Sequence, residues 1–147
     1  MSPLSSRPQL KTAVFMSIAW ELARLSTCQR RQVGCVLVDF HGRIVGAGYN
    51  GVAADMPHCI DKPCAAASLP PGTGLELCEA IHAEQNALLV CERPFDILYC
   101  YTTASPCRHC VKMLLNTSCK YIRFNEEYPH EEAEALWLRA GRNWLKV

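Results

Sequence analysis

Two short segments, His82-Ala83-Glu84 and Pro106-Cys107-Arg108-His109-Cys110, constrain this chain more than any other feature of it. They offer one imidazole and two thiols, the donors that tetrahedral Zn²⁺ takes most readily, and three protein ligands leave a fourth position open to water. If His82, Cys107 and Cys110 share one ion, the fold has to bring the helix carrying His82 against a second helix that begins near Pro106. Proline costs nothing in the first turn of a helix. Cys107 and Cys110 then lie one turn apart, with the helix N-terminus favouring their thiolates. Glu84 falls about 200° around a regular helix from His82, so it is a poor fourth ligand and is placed instead to reach the water.

The rest of the chain supplies the frame for such a pair. Thr12–Leu25 carries Val14, Ile18, Leu22 and Leu25 at the helical period. Val33–Phe40 and Arg43–Tyr49 are β-rich runs joined at Phe40-His41-Gly42, a hairpin whose first strand is apolar enough for burial on both faces. Cys78–Cys91 has helical spacing and stops before Pro94, Ile97–Thr103 and Tyr121–Phe124 read as strands, and Val111 to Leu115 continue the helix opened at Pro106. Glu131–Ala140 is a short helix with acidic residues in its first turn, and Trp144–Val147 adds a last strand. This order implies an α/β fold, a mixed sheet of about five strands between helices, with parallel pairs joined by right-handed crossovers. Residues 51–77, rich in proline and glycine, form a loop long enough to require an anchor.

With 147 residues the chain fits one domain, residues 1–147. Its 15 Lys plus Arg nearly balance 14 Asp plus Glu, so no global charge draws it to a nucleic acid or an anionic membrane. The first ten residues lack the apolar core of a signal peptide and no apolar run approaches the length of a bilayer, which points to an intracellular, cytoplasmic protein. In a reducing compartment its 10 cysteines are metal ligands or small core residues rather than disulfides. Cys35, Cys91, Cys100 and Cys119 sit inside strands or helical runs and read as core. Cys28, Cys59, Cys64 and Cys78 instead bracket the long loop, where four thiolates would close a structural zinc site, with His58 as a substitute for one of them.

An isolated C-x-x-C or a lone histidine says little. H-x-E followed by P-C-x-x-C is the pattern of zinc-dependent nucleobase deaminases. Beyond it, Ser26 to Gly34, Gly48-Tyr49-Asn50-Gly51, Pro57-His58-Cys59, His82 to Ala87 and Ser105-Pro106-Cys107 resemble the deoxycytidylate (dCMP) deaminases over about residues 12–128. The resemblance implies a single deoxycytidylate deaminase domain with the cytidine deaminase-like three-layer α/β/α sandwich. It implies conversion of dCMP to dUMP, a homohexamer, and opposite responses to dCTP and dTTP, with Mg²⁺ accompanying a triphosphate effector. Some members carry a second zinc near the long loop, held by a mixed cysteine and histidine set.

Roles follow for individual residues. Zinc lowers the pKa of its water from 15.7 to about 7. Glu84 then takes the water proton, passes it to N3 of cytosine as C4 is attacked, and protonates the departing amine. By resemblance Asn50 bonds the sugar 3′-hydroxyl, the Ala83 amide and Ser105 carbonyl hold the base, and Tyr128 lies near the nucleotide. Asn50 beside Gly51 has the lesser alternative of a turn residue, and an aromatic at a strand end such as Tyr128 is more often packing. Arg30 and Arg31 are candidates for phosphate, because guanidinium matches phosphate oxygens in a fork, though a solvated pair is the plainer alternative. Arg93 matches a position linked in the family to subunit contacts and regulation. Deaminases of dCTP, modified dCMP, free cytidine or tRNA adenosine share the same core residues, and a zinc-stabilised interaction module is the non-enzymatic alternative, in which Glu84 has no task.

Overall fold

The computed structural model describes residues 6–70, 73–74 and 77–147; Pro71, Gly72, Leu75 and Glu76 of the long loop and residues 1–5 of the N-terminal stretch lie outside them. Strands β1 (Gly34–Asp39) and β2 (Ile44–Tyr49) form the expected antiparallel hairpin. Strand β3 (Ile97–Ala104) runs antiparallel to β1, and β4 (Tyr121–Glu126) and β5 (Asn143–Lys146) extend the sheet in parallel, giving the order β2-β1-β3-β4-β5. Parallel neighbours cannot be joined by a tight turn, and helices α3 (Arg108–Leu115) and α4 (Glu131–Arg139) make the two crossovers.

One face of the sheet is covered by α1 (Arg7–Ala23), whose Met16 and Ala19 bury against Val36, Val38 and Tyr101. The other face carries α2 (Ala83–Leu89), α3 and α4, with Leu37, Cys100, Val111, Leu114, Ile122 and Trp137 at the centre of the larger core. All six positions of β1 are buried, as its unbroken apolar run requires between two helical layers. Cys35, Cys100 and Cys119 are fully buried core residues and Cys91 packs against the same cluster. Among the described residues no helix is long and apolar enough to cross a membrane.

Three helices begin elsewhere than the sequence pattern predicts. Helix α3 starts at Arg108 behind Cys107 in extended conformation, so Pro106 precedes the helix instead of standing in its first turn. Helix α1 starts at Arg7 rather than Thr12, because Ser6 caps it and its N–H is bonded at 3.0 Å by the Gln9 side chain, while Pro8 is tolerated in the first turn. The helix expected from Cys78 begins only at Ala83. Ile81 is held extended by a two-bond bridge to Gly51, at 3.1 and 2.7 Å, a non-local pairing that helical spacing does not register. Helix α2 also lies very close to β2. A Cβ on Gly48 would stand 2.7 Å from the backbone N of Ala87, and one on Gly46 would stand 2.6 Å from the Ala87 carbonyl oxygen, so only glycine allows that approach.

The hairpin turn is closed by Asp39, whose Oδ1 accepts the amides of His41 and Arg43, each at 2.9 Å. The Arg43 amide above all, with that of His41, holds the carboxyl below its usual value against the opposing effect of desolvation. A depressed carboxylate pKa adds stability above the unfolded value of about 3.9 that is lost as pH falls through the folded value. The stability difference between the wild type and Asp39→Asn should therefore be largest above about pH 5 and close towards pH 3, as read by urea unfolding across that range.

Candidate active site

The Gly51–Ile81 bridge delivers the chain to α2 in an extended conformation, and His82 is the residue before the helix, at φ −71° and ψ 154°. Gln85 in the first turn accepts the His82 backbone N–H at 2.9 Å and fixes that entry. Cys107 occupies the same position before α3, at φ −75° and ψ 171°, with Cys110 in the first turn. Both helices thus present their N-termini to one point, where amide dipoles favour anionic ligands. Since His82 is not helical, a helical-wheel angle does not describe its relation to Glu84.

The three donors converge. His82 Nδ1 lies 3.2 Å from Cys110 Sγ and 3.4 Å from Cys107 Sγ, and the two sulfurs are 3.7 Å apart. Zinc bonds of about 2.0 Å to nitrogen and 2.3 Å to sulfur at tetrahedral angles place such atoms about 3.6 and 3.8 Å apart, so the donor set fits the ion before it is bound. Among the described residues, no other group of three or more His, Cys, Asp or Glu side chains brings its ligand atoms within 4.8 Å of one another. The hydrogen bond with Cys110, reinforced by His82, pulls the Cys107 thiol down to about 3 against the cost of burial. The same sulfur–sulfur bond, with burial, pushes Cys110 well up. His82 is raised, chiefly by Cys107.

Glu84 is 4% exposed and stands outside the donor triad. Burial pushes its carboxyl up, opposed by His82 and by a 2.7 Å hydrogen bond from the Thr102 hydroxyl to Oε1. A carboxyl raised by burial and oriented from behind suits a group that must both take and give a proton. Thr102 had no signal in the sequence, where a threonine in a β-rich run is ordinary. Strand β3 brings it under α2 from 18 residues away.

A cleft opens over these groups. Asn50, Ala83, Ser105 and Tyr128 all line it, as do Arg30 and Arg31. Asn50 Oδ1 accepts the Val33 amide at 2.8 Å and its Nδ2 donates to the Arg31 carbonyl at 2.7 Å, leaving a second amide hydrogen and a lone pair for a ligand. The Ser105 hydroxyl accepts the Tyr128 amide at 2.6 Å, which ties the Tyr128 loop to the residue beside Pro106. Arg31 lies over the Tyr128 ring, 4.7 Å from its centroid, and pairs with Glu126 at 2.8 Å. Arg30 is committed differently. Its Nη1 donates to the carbonyls of Pro70 and Thr73, at 3.0 and 2.6 Å, and so supplies part of the anchor that the long loop requires. Arg93 does not line the cleft and faces Asp96 at 3.9 Å on the surface.

The four cysteines around the loop divide in two. Cys59 and Cys64 face each other at 3.9 Å, whereas Cys28 and Cys78 line the cleft. Cys78 lies outside α2, so it does not ride on the helix that follows His82. The loop is also pinned by the Ile60 amide on the Thr27 carbonyl and by His58 Nδ1 on the Thr27 hydroxyl, both at 3.1 Å.

Comparison with known proteins agrees with this geometry. The chain is 35% identical over 132 residues to ComE operon protein 2 of Bacillus subtilis (strain 168), covering 86% of this chain and 66% of that one. It is 33% identical over 147 residues to the deoxycytidylate deaminase of Schizosaccharomyces pombe, covering 96% of this chain and 44% of that protein. The chain thus spans between about two-fifths and two-thirds of the length of these relatives. Its fold matches the crystal structure of dCMP deaminase from the cyanophage S-TIM5 in complex with dCMP and dUMP, with a TM-score of 0.78 and 26% identity, covering 97% of this chain and all of that one (100%). The family described as the cytidine and deoxycytidylate deaminase zinc-binding region matches residues 10–126, the span that holds the donor triad, Glu84 and Arg31, and the chain belongs to that family.

Proposed function

We propose that this protein is a dCMP deaminase, hydrolysing dCMP to dUMP with release of ammonia. The observation that carries the reading is Glu84, buried and held by Thr102 beside a three-donor metal site at the floor of a cleft that also contains Arg31 and Tyr128. An interaction module has no use for a buried carboxyl there. His82, Cys107 and Cys110 would hold a zinc ion, which would supply the Lewis acidity that makes water a nucleophile at neutral pH. Glu84 takes a proton from the attacking water, delivers it to N3 of cytosine, and protonates the amine that leaves C4. The Ala83 amide and Ser105 carbonyl hold the base, Asn50 takes the 3′-hydroxyl with its spare amide hydrogen, and Arg31 takes the phosphate from its seat on Tyr128. Arg30 acts indirectly, by holding the loop. A panel of dCMP, CMP, dCTP, deoxycytidine and 5-substituted dCMP, read by ammonia release, tests the reading; turnover of tRNA adenosine with none of dCMP would replace it by an RNA-directed deaminase.

The proposal extends to a second, structural zinc held by Cys28, Cys59, Cys64 and Cys78. These four do not already converge, so binding would have to draw the Cys59–Cys64 pair and the two cleft-lining cysteines together. The Ile60–Thr27 hydrogen bond brings the Cys59 segment beside Cys28, and amides of Glu79 and Ala66 act on Cys64, whose thiol is lowered chiefly by the Glu79 amide. Two zinc equivalents per chain are expected by elemental analysis of purified protein, and one equivalent removes the second site. The family resemblance further suggests a cytoplasmic homohexamer activated by dCTP and inhibited by dTTP, the triphosphate carrying Mg²⁺, with Arg93 near subunit or effector contacts. Sizing in solution and assays with each effector decide those features.

A further inference from the structure

Arg31 is held from three directions: Tyr128 packs against its guanidinium, Asn50 binds its main-chain carbonyl, and Glu126 takes Nη2. Glu126 is itself fixed by the backbone. It closes β4 opposite Ala104, and its carbonyl accepts the Ser105 amide at 2.8 Å, so its carboxylate is tied in register to the floor of the cleft. The Arg31 side chain is 25% exposed and lines the cleft; that of Glu126 is 54% exposed and stands outside it, with Glu127 next to it also on the surface. An ion pair so open to water is weak as a fastening. Its charge nevertheless acts on anything else that approaches the same guanidinium.

From this arrangement we propose that Glu126 is a specificity-determining residue that sets how much negative charge the cleft accepts beside Arg31. The inference rests on the reading of Arg31 as the phosphate contact. A guanidinium has five N–H donors, and one carboxylate oxygen on Nη2 leaves others for a ligand phosphate. That phosphate binds with Glu126 still close by, and the repulsion grows with the charge that the ligand carries. Ligands with no phosphate are indifferent to Glu126. A single phosphate is opposed moderately. A triphosphate, which carries the most negative charge, is opposed most.

The test uses ligands on the product side, which bind without reacting. Dissociation constants of deoxyuridine, dUMP and dUTP are measured by calorimetry on zinc-loaded wild type, Glu126→Gln and Arg31→Met. Glutamine keeps an acceptor for Arg31 and removes only the charge. In Glu126→Gln, dUMP should bind about threefold and dUTP about tenfold more tightly, with deoxyuridine unchanged, and the gains should shrink in high salt. Equal gains for dUMP and dUTP, a parallel shift of deoxyuridine, or weaker binding of dUMP would each overturn the assignment. Arg31→Met separates this from the reading beneath it. If that variant weakens dUMP but not deoxyuridine, Arg31 is the phosphate contact and the Glu126 result stands or falls by itself. If it weakens neither, the phosphate reading fails first.

Discussion

Glu84→Gln should reduce dCMP turnover by about 10²–10⁴-fold while leaving the zinc content of the protein unchanged. The two halves of this expectation come from different observations. The donors that converge on the metal position are His82, Cys107 and Cys110, and the Glu84 carboxyl is not one of them, so its replacement removes no ligand. Glutamine nearly matches glutamate in shape and keeps a carbonyl oxygen for the Thr102 hydroxyl, so the buried site loses neither volume nor its hydrogen bond. What disappears is the ability to accept a proton from water and return it to N3 and then to the amine. An amide cannot do so at any pH near neutrality, and the loss therefore falls on kcat rather than on KM for dCMP. Zinc measured by elemental analysis, together with dUMP binding by calorimetry, establishes that the variant is loaded and folded. Retained turnover in a loaded variant would sink the assignment of Glu84 as the proton carrier.

The legible part of this molecule is the part whose chemistry dictates a local spacing. Cys107 and Cys110 one turn apart behind a proline, and a histidine two residues before a glutamate, are recognisable because ligand geometry restricts them. The continuous apolar run of β1 was equally readable, since a strand covered on both faces has no polar side to show. The start of α2 was misread for a definite reason. Cys78 and Ile81 fit a helical period by chance, and what breaks the helix there is a pairing with Gly51, 30 residues earlier, which no local pattern reports. Thr102 and Glu126 escaped notice for a related reason. Each acts through strand register, Thr102 by lying under Glu84 and Glu126 by ending β4 opposite Ala104, and register is decided by the whole sheet. The two arginines were indistinguishable in sequence. The fold separates them by giving the Arg30 guanidinium to the carbonyls of the long loop and that of Arg31 to the face of Tyr128.

Cys107→Ser should remove one zinc equivalent per chain, whatever the total, and with it all measurable turnover of dCMP. Serine is close in size to cysteine, so the buried position before α3 is not hollowed out, but its hydroxyl stays protonated at neutral pH and is a poor zinc ligand. His82 and Cys110 alone make a two-donor site. The readout that distinguishes loss of the ion from misfolding is the linkage between metal and stability. A ligand that binds only the folded state stabilises it by RT ln(1 + [L]/Kd), about 4 kcal/mol at a thousandfold excess over Kd. Wild-type protein should therefore lose Tm when a strong chelator strips it and regain it when zinc is restored. Cys107→Ser should begin near the stripped value and respond little to either treatment, apart from any contribution of the loop cysteines. Glu84→Gln should keep the full zinc-dependent increment in Tm. Both variants lose most or all of their turnover in the assay and behave oppositely in the melt, a contrast expected when the ligand and the proton carrier are separate groups placed side by side by the N-termini of α2 and α3.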